Sequence, residues 1–192
     1  MSDFSILPPD LPVPEEDGAA DHLEGLHVPA GGALPSTAGG DVDLARAAGG
    51  GRLVVYVYPR TAAPGEPLLA GWDDIPGARG CTPQSCAYRD AISEFSALEV
   101  TVIGVSAQTP AEQAEFAARE RIPFALLSDS RLTLADSIGL PTFEAGGLRL
   151  YRRLTLVLEG DEVVRCFYPV FPPDRDAGEV LAWLRRAGHG GP

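Results

Sequence analysis

Two kinds of hydrophobic pattern alternate along the chain from residue 52 onward. Residues 53–58 (LVVYVY) and 100–106 (VTVIGVS) are continuous runs rich in β-branched and aromatic side chains, which is typical of strands buried on both faces. Residues 124–129 (FALLSD) predict a short third strand, and residues 154–169 (LTLVLEGDEVVRCFYP) predict two strands joined by a turn at EGDE. The first of these strands is expected at the centre of a sheet.

Apolar residues at helical spacing occupy the stretches between and after these strands. Four helices are predicted, at residues 82–98, 109–120, 130–139 and about 175–186. In the first, Thr82 is the expected N-cap and Pro83 the first helical residue; in the second, Thr109 and Glu112 have the spacing of a capping box. The order of elements contains βαβ crossovers and an antiparallel ββα ending. It predicts a thioredoxin-like α/β fold, a single domain with a central mixed sheet flanked by helices.

The N-terminal part of the chain has a different composition. Residues 1–27 contain LPPDLPVPEEDG, whose prolines cannot join a sheet ladder and whose acidic side chains favour solvent, so we expect an extended or disordered arm. Short apolar pieces separated by Gly, Ser and Asp in residues 28–51 predict a small hairpin that covers one end of the domain. The domain itself is predicted to span residues 28–187, followed by a short tail at 188–192.

Composition narrows the possible functions. The 192 residues carry 15 basic and 27 acidic side chains, a formal net charge of -12, which argues against binding to nucleic acid or to an anionic membrane. All the basic residues are Arg, so mechanisms that need a lysine amine, such as Schiff-base or P-loop chemistry, are excluded. The apolar runs are too short to cross a bilayer and the first residues lack the pattern of a signal peptide, so a cytoplasmic location is expected.

The candidate chemistry lies in the cysteines. Only three are present, too few for the disulfide framework of a small secreted protein, and two of them, Cys81 and Cys86, are close in sequence. Cys81 is expected just before a helix, where unpaired N–H groups and the helix dipole favour a thiolate. Within a regular helix the two Cα atoms would be about 8 to 9 Å apart, whereas a disulfide needs roughly 4.4 to 6.8 Å. A disulfide between them therefore requires the start of the helix to unwind.

Other uses of these cysteines are less well supported by the sequence. A zinc site would need two further ligands from Cys166, His22, His27 and His189, of which the histidines lie in the expected arm and tail. A thioredoxin-type disulfide reductase would show C-x-x-C, whereas four residues separate this pair. Cys166 lies inside a predicted strand and is expected to be a small buried hydrophobic residue. We expect no metal and no other cofactor; a pair of non-catalytic cysteines is the remaining alternative.

The segment GCTPQSCAYRD, residues 80–90, resembles the GCT-x-x-x-C-x-x-RD signature of the peroxiredoxins, specifically of their bacterioferritin-comigratory or Q-type branch. The similarity extends over about residues 28–186 and includes VVYVYPR, the segment ending in PFALLSD, and the late hairpin. The resemblance implies a thiol-dependent peroxidase for hydrogen peroxide and small organic hydroperoxides. Cys81 would be the peroxidatic cysteine, which becomes a sulfenic acid, and Cys86 the resolving cysteine of an intramolecular disulfide.

The same resemblance implies further site residues. The family's active-site arginine falls on Arg153, where a fixed cation would favour the thiolate and hold a peroxide oxygen. The family's proline and threonine are not in register before the active cysteine, and Pro59 and Thr61 are proposed to fill their roles. Residues 62–79 would then be an inserted loop near the mouth of the pocket, with Trp72 either as a lid or as a surface anchor.

Alternatives remain within and outside the family. Residues 75–78 (IPGA) resemble the approach to the active cysteine of another peroxiredoxin branch, which would make Cys86 the nucleophile, but the predicted helix start favours Cys81. Outside the family, the pair could serve as a redox switch in a binding module, or as a thiol–disulfide oxidoreductase without peroxidase turnover. The peroxidase hypothesis implies a peroxide substrate, thioredoxin or a similar dithiol as reductant, and a monomer.

Overall fold

The computed structural model describes residue 7 and residues 9–188 of the chain. In chain order its elements are β1 (Leu34–Pro35), β2 (Asp41–Val42), α1 (Leu44–Ala47), β3 (Arg52–Val57), a 3-10 turn (Trp72–Asp74), α2 (Cys81–Asp90), α3 (Ile92–Ala97), β4 (Val100–Ser106), α4 (Pro110–Glu120), β5 (Leu126–Ser128), α5 (Thr133–Ile138), β6 (Thr142–Ala145), β7 (Leu148–Tyr151), β8 (Leu154–Glu159), β9 (Glu162–Phe167), a second 3-10 turn (Pro173–Arg175) and α6 (Asp176–Gly188). Among the described residues, no helix combines the length and the hydrophobicity that spanning a bilayer demands.

The central sheet has five strands in the order β5-β4-β3-β8-β9. The middle strand, β3, is parallel to β4 and antiparallel to β8. β5 continues the parallel side of the sheet and β9 the antiparallel side. Residues 53–57 have no solvent exposure because helices cover both faces of the sheet. The expected central mixed sheet, with the apolar run at its centre, is confirmed.

Alternate side chains of β3 enter different cores, because successive side chains of a strand point to opposite faces. Leu53 and Val55 belong to a cluster that includes side chains of α1 and α5. Val54 and Tyr56 belong to a second cluster, which includes side chains of α2, α3, α4 and α6. There, the Tyr56 ring stacks on Tyr88 of α2 with the ring centroids 4.5 Å apart. This contact joins the cysteine-bearing helix to the middle of the sheet.

The start of α2 differs from the prediction. Thr82 is not the N-cap: the helix begins at Cys81, after Gly80, which has a φ of 100° and makes no side-chain cap bond. The first main-chain bond of the helix reaches the Gly80 carbonyl over 3.0 Å. Pro83 therefore still lies in the first turn, where its missing N–H costs no hydrogen bond. Glycine adopts left-handed backbone conformations at little cost, so the preceding loop ends at Gly80 and the helix begins one residue before Thr82.

Two further elements depart from the prediction. The single helix expected over residues 82–98 is wrong, because the chain leaves the helical conformation at Ala91 (φ −94°, ψ 2°) and restarts as α3. Residues 142–151 form an unpredicted antiparallel hairpin, β6–β7. Its turn contains Gly146 and Gly147, with φ values of 57° and 76°.

The N-terminal segment packs on the domain. Residues 9–26 contain no helix or strand, yet Leu23 is fully buried in the cluster of α1 and α5. The expected small hairpin is present as β1–β2, with Leu34 opposite Val42. The predicted boundaries of arm, domain and tail stay predictions, and residues 1–6, 8 and 189–192 lie outside the described residues.

Candidate active site

Cys81 is the first residue of α2 and is almost completely buried, with 4% of its surface exposed. The main-chain N–H groups of the first turn are unpaired within the helix and favour negative charge at this end. The Cys81 Sγ atom is 3.3 Å from Nη2 of Arg153 and 3.7 Å from the carbonyl oxygen of Ala78. A thiolate at this position would meet both a cation and the positive end of the helix dipole.

Arg153 is held by neutral acceptors that fix the direction of its guanidinium. The residue directly precedes β8 and is only 3% exposed. Its Nη2 donates to three main-chain carbonyls, those of Gly77 (3.2 Å), Ala78 (3.3 Å) and Arg79 (3.0 Å). Its Nη1 donates to Oε1 of Gln84. Because these acceptors carry no charge, they orient the cation beside the cysteine sulfur without cancelling it.

Gln84 connects this cation to a buried acid that the sequence did not identify. Gln84 Nε2 donates to Oδ2 of Asp176, the first residue of α6, over 2.7 Å. The same oxygen accepts from Thr155 Oγ1 at 2.7 Å and from the Tyr88 hydroxyl at 2.9 Å. Burial raises the pKa of the Asp176 carboxyl in spite of these hydrogen bonds. Since the amide nitrogen must donate to this acid, the amide oxygen of Gln84 faces Arg153.

Of the two residues predicted to replace the family's proline and threonine, Thr61 lines the cavity beside Cys81 and Pro59 does not. Thr61 lines the same cavity as Cys81. Gln108 Oε1 accepts from Thr61 N at 2.7 Å and from Thr61 Oγ1 at 2.9 Å, and Gln108 Nε2 donates to the Thr61 carbonyl at 3.1 Å. Because the hydroxyl hydrogen is donated to Gln108, the lone pairs of Oγ1 remain available as acceptors. Pro59 is buried just after β3, its carbonyl accepting from Ser106 Oγ at 3.0 Å, and it lies outside the cavity lining that the described residues form.

A cavity of about 420 Å³ opens beside Cys81. The predicted inserted loop supplies part of its wall, because Leu68, Leu69 and Trp72 all line the cavity. Trp72 is 5% exposed, and its ring is tilted against Phe143 with centroids 6.0 Å apart. This contact fixes the loop to the β6–β7 hairpin, so Trp72 is a packed residue of the cavity wall.

Cys86 is on the same helix but faces another neighbour. It is partly buried, and its Sγ lies 3.7 Å from Oε2 of Glu120, at the end of α4. Burial raises the pKa of the Cys86 thiol, and the Glu120 carboxylate raises it further although Arg89 opposes the change. Both helix cysteines are free thiols. The structure brings three of the five predicted site residues together at one place: Cys81, Arg153 and Thr61.

The third cysteine, Cys166, lies on β9, where it is paired with Leu156 of β8. Burial, with Glu24 nearby, raises the pKa of the Cys166 thiol to about 12. This thiol is therefore protonated at neutral pH and a weak nucleophile. Within the part of the chain that the structure describes, no group of three or more His, Cys, Asp or Glu side chains has the arrangement of a metal site.

Comparison with known proteins points to one family. A model of the redoxin family matches residues 23–181. The chloroplastic peroxiredoxin Q of Gentiana triflora is 32% identical over 136 residues, which are 70% of this chain and 55% of that protein. A putative peroxiredoxin of Mycobacterium tuberculosis strain H37Rv is 29% identical over 153 residues, 79% of this chain and 90% of that protein. The chain thus spans about half the length of the plant relatives that it matches.

Solved structures have the same fold. The crystal structure of a peroxidoxin from M. tuberculosis matches with a TM-score of 0.68 and 28% identity, covering 85% of this chain and 96% of that chain. Peroxiredoxin Q of Xanthomonas campestris matches with a TM-score of 0.63 and 22% identity, covering 92% of this chain and 98% of that chain. The second similarity shows the fold alone. The thioredoxin-like α/β fold expected from the order of strands and helices is confirmed.

Proposed function

The chain belongs to the redoxin family, with relatives among the Q-type peroxiredoxins, and we propose that it is a thiol-dependent peroxidase. One observation carries this proposal: Cys81 lies at a helix N-terminus, 3.3 Å from the buried Arg153 guanidinium and at the wall of a cavity. Burying a cation costs free energy unless hydrogen bonds offset the loss of water. A buried guanidinium directed at a thiol beside a cavity is an arrangement that favours catalysis.

In the first step, the Cys81 thiolate attacks the terminal oxygen of a hydroperoxide. An S–O bond forms and the O–O bond breaks, so that the sulfur is oxidised by two electrons to a sulfenic acid. The leaving oxygen takes a proton from solvent and departs as water or an alcohol. Arg153 Nη2 stabilises the negative charge as it moves from the sulfur to the leaving oxygen. Thr61 Oγ1 accepts a hydrogen bond from the hydroperoxide O–H, because the hydroxyl hydrogen of Thr61 is already donated to Gln108.

In the second step, the Cys86 thiolate attacks the oxidised sulfur of Cys81. An S–S bond forms and the S–O bond of the sulfenic acid breaks, and the released hydroxide takes a proton from solvent to become water. Both cysteines lie in α2, so this step needs the first turns of the helix to unwind, as a regular helix holds their Cα atoms about 8 to 9 Å apart. Thioredoxin or a similar dithiol then reduces the disulfide. We further propose that the protein acts as a monomer in the cytoplasm.

The test is the intact mass of the reduced protein after one equivalent of hydrogen peroxide. The wild type should lose two hydrogen atoms, Cys86→Ser should gain one oxygen atom, and Cys81→Ser should remain unchanged. Cys166→Ser is the matched control and should behave like the wild type, because burial keeps its thiol protonated. With excess peroxide and a thioredoxin system, the wild type should consume peroxide continuously.

Other results would separate the alternatives. Oxygen uptake by Cys81→Ser would make Cys86 the nucleophile and refute the assignment. A disulfide that forms once without sustained peroxide consumption would favour a redox switch. No reaction with peroxide, together with reduction of a protein disulfide, would favour a thiol–disulfide oxidoreductase.

A further inference from the structure

The cavity beside Cys81 is much larger than hydrogen peroxide requires. Its volume of about 420 Å³ falls within the range of small-molecule sites, about 300 to 1,000 Å³, whereas a water molecule occupies only about 30 Å³ in the liquid. A molecule as small as hydrogen peroxide would leave most of this space to solvent. The remaining volume lies next to the reacting sulfur, where the substituent of an organic hydroperoxide would be.

One part of the wall of this space is apolar, and the rest of the protein covers it incompletely. Leu68 and Leu69 line the cavity and are only partly buried, and Trp72 and Ala78 line it beside them. Leu7 contributes a further apolar side chain to the lining. An apolar ligand that covers partly exposed leucines binds favourably, because the contact removes apolar surface from water.

The charged side chains at the cavity are already paired. Arg60 lies 3.0 Å from Glu66 and 3.4 Å from a second acid, Glu112. Arg79 pairs with Asp73 at 3.2 Å. Arg60 and Arg79 are the cations that the described residues contribute to the lining, and these ion pairs commit both of them to acids of the protein. A net charge of -12 also repels an anionic ligand. The ligand that suits this lining is therefore uncharged.

We propose that the site prefers uncharged hydroperoxides with a compact apolar body, such as an aromatic or branched alkyl group, over hydrogen peroxide and over fatty-acid hydroperoxides. Leu68, Leu69 and Trp72 determine this preference. The inference rests on the proposed peroxidase function: the Cys81 thiolate takes the terminal oxygen, the O–O bond breaks, and the alkoxide takes a proton from solvent and leaves as the alcohol. The apolar body lies against the inserted loop during this step.

The experiment measures the second-order rate constant for oxidation of Cys81 in the reduced, full-length chain. The three probes are cumene hydroperoxide, hydrogen peroxide and linoleic acid hydroperoxide, each normalised to its rate with free cysteine. Cumene hydroperoxide should cover an apolar surface of the cavity wall about as large as one side chain. This should favour it over hydrogen peroxide by about tenfold in the normalised rate constant. Leu68→Asn should lower this ratio about fivefold. Leu98→Asn is the matched control, because Leu98 is 37% exposed at the end of α3, away from the cavity lining, and should leave the ratio unchanged.

A second measurement on the wild type does not depend on the folding of a variant. 2-Phenyl-2-propanol has the body of cumene hydroperoxide without the O–O bond, and it should inhibit the reaction with hydrogen peroxide competitively. A normalised ratio near one, or the absence of this inhibition, would overturn the preference and leave the peroxidase function standing. A faster reaction with linoleic acid hydroperoxide would overturn the claim that the ligand is uncharged. Failure of Cys81 to react with any of the three peroxides would instead refute the proposed function.

Discussion

Replacing Gln84 by methionine should both destabilise the fold and loosen the Arg153 cation beside Cys81. Gln84 is fully buried, and its amide joins two buried ionisable groups, accepting from Arg153 and donating to Asp176. Methionine has a similar volume and helix propensity, so α2 should still form. A hydrogen bond to a charged group contributes about 1.5 to 3 kcal/mol. Losing both should lower the free energy of unfolding by about 3 to 6 kcal/mol. Because Arg153 keeps its three main-chain acceptors, Cys81 oxidation should slow about tenfold rather than stop.

Urea unfolding under reducing conditions and stopped-flow oxidation by hydrogen peroxide would measure the two effects. Gln113→Met is the matched control: Gln113 is also buried, but its amide accepts from the Tyr58 hydroxyl and donates to the carbonyl of Leu127 at 2.9 Å, both neutral groups. It should cost about 1 to 3 kcal/mol and leave the oxidation rate unchanged. Equal oxidation rates in Gln84→Met and the wild type would show that Gln84 does not order Arg153.

Three other substitutions test separate parts of the structure. Glu120→Gln should lower the raised pKa of Cys86 and speed disulfide formation about two- to fivefold. The rate is measured by mass as the loss of two hydrogen atoms. An unchanged rate would mean that unwinding of the start of α2 alone limits this step. Gly80→Ala should cost about 2 to 4 kcal/mol in urea unfolding, since φ is 100° and the new Cβ would lie 2.5 Å from Pro173 Cγ. Burial raises the native pKa of Asp176 above its unfolded value, so the native state binds the extra proton between these values. The wild type should therefore lose stability relative to Asp176→Asn as the pH rises from about 4, and unfolding at a series of pH values checks this sign.

The elements that the sequence predicted well are those specified by neighbouring residues. The continuous apolar run at residues 53–57 forms the middle strand, because its short length and its β-branched and aromatic side chains favour a strand and both faces of that strand are covered. The capping box at α4 formed as expected, with the Thr109 side chain bonded to the N–H of Glu112 and the Glu112 side chain to the N–H of Thr109. Such signals depend only on residues that are close in the chain, so the rest of the fold does not change them.

The hydrogen-bond network behind Cys81 could not be predicted in the same way. Gln84 and Asp176 are 92 residues apart in the chain, and no spacing rule relates them. Asp176 also resembles an ordinary acidic residue at the start of a helix, where a carboxylate is favourable and needs no function. Only the packing of α6 against α2 shows that its carboxylate is buried and accepts three hydrogen bonds.

The proposed thiol chemistry and the proposed substrate preference therefore have different origins in this chain. The reactivity proposed for Cys81 rests on a helix start and one cation, and a short motif with an arginine in a later strand region is enough to indicate it. Part of the cavity wall is instead made by a loop whose residues pack on the β6–β7 hairpin, which the sequence did not predict. Exchanging the loop should change which hydroperoxide is preferred while the reacting sulfur stays in place. Chains that share the cysteine motif but differ in this loop should therefore differ in substrate rather than in reaction type.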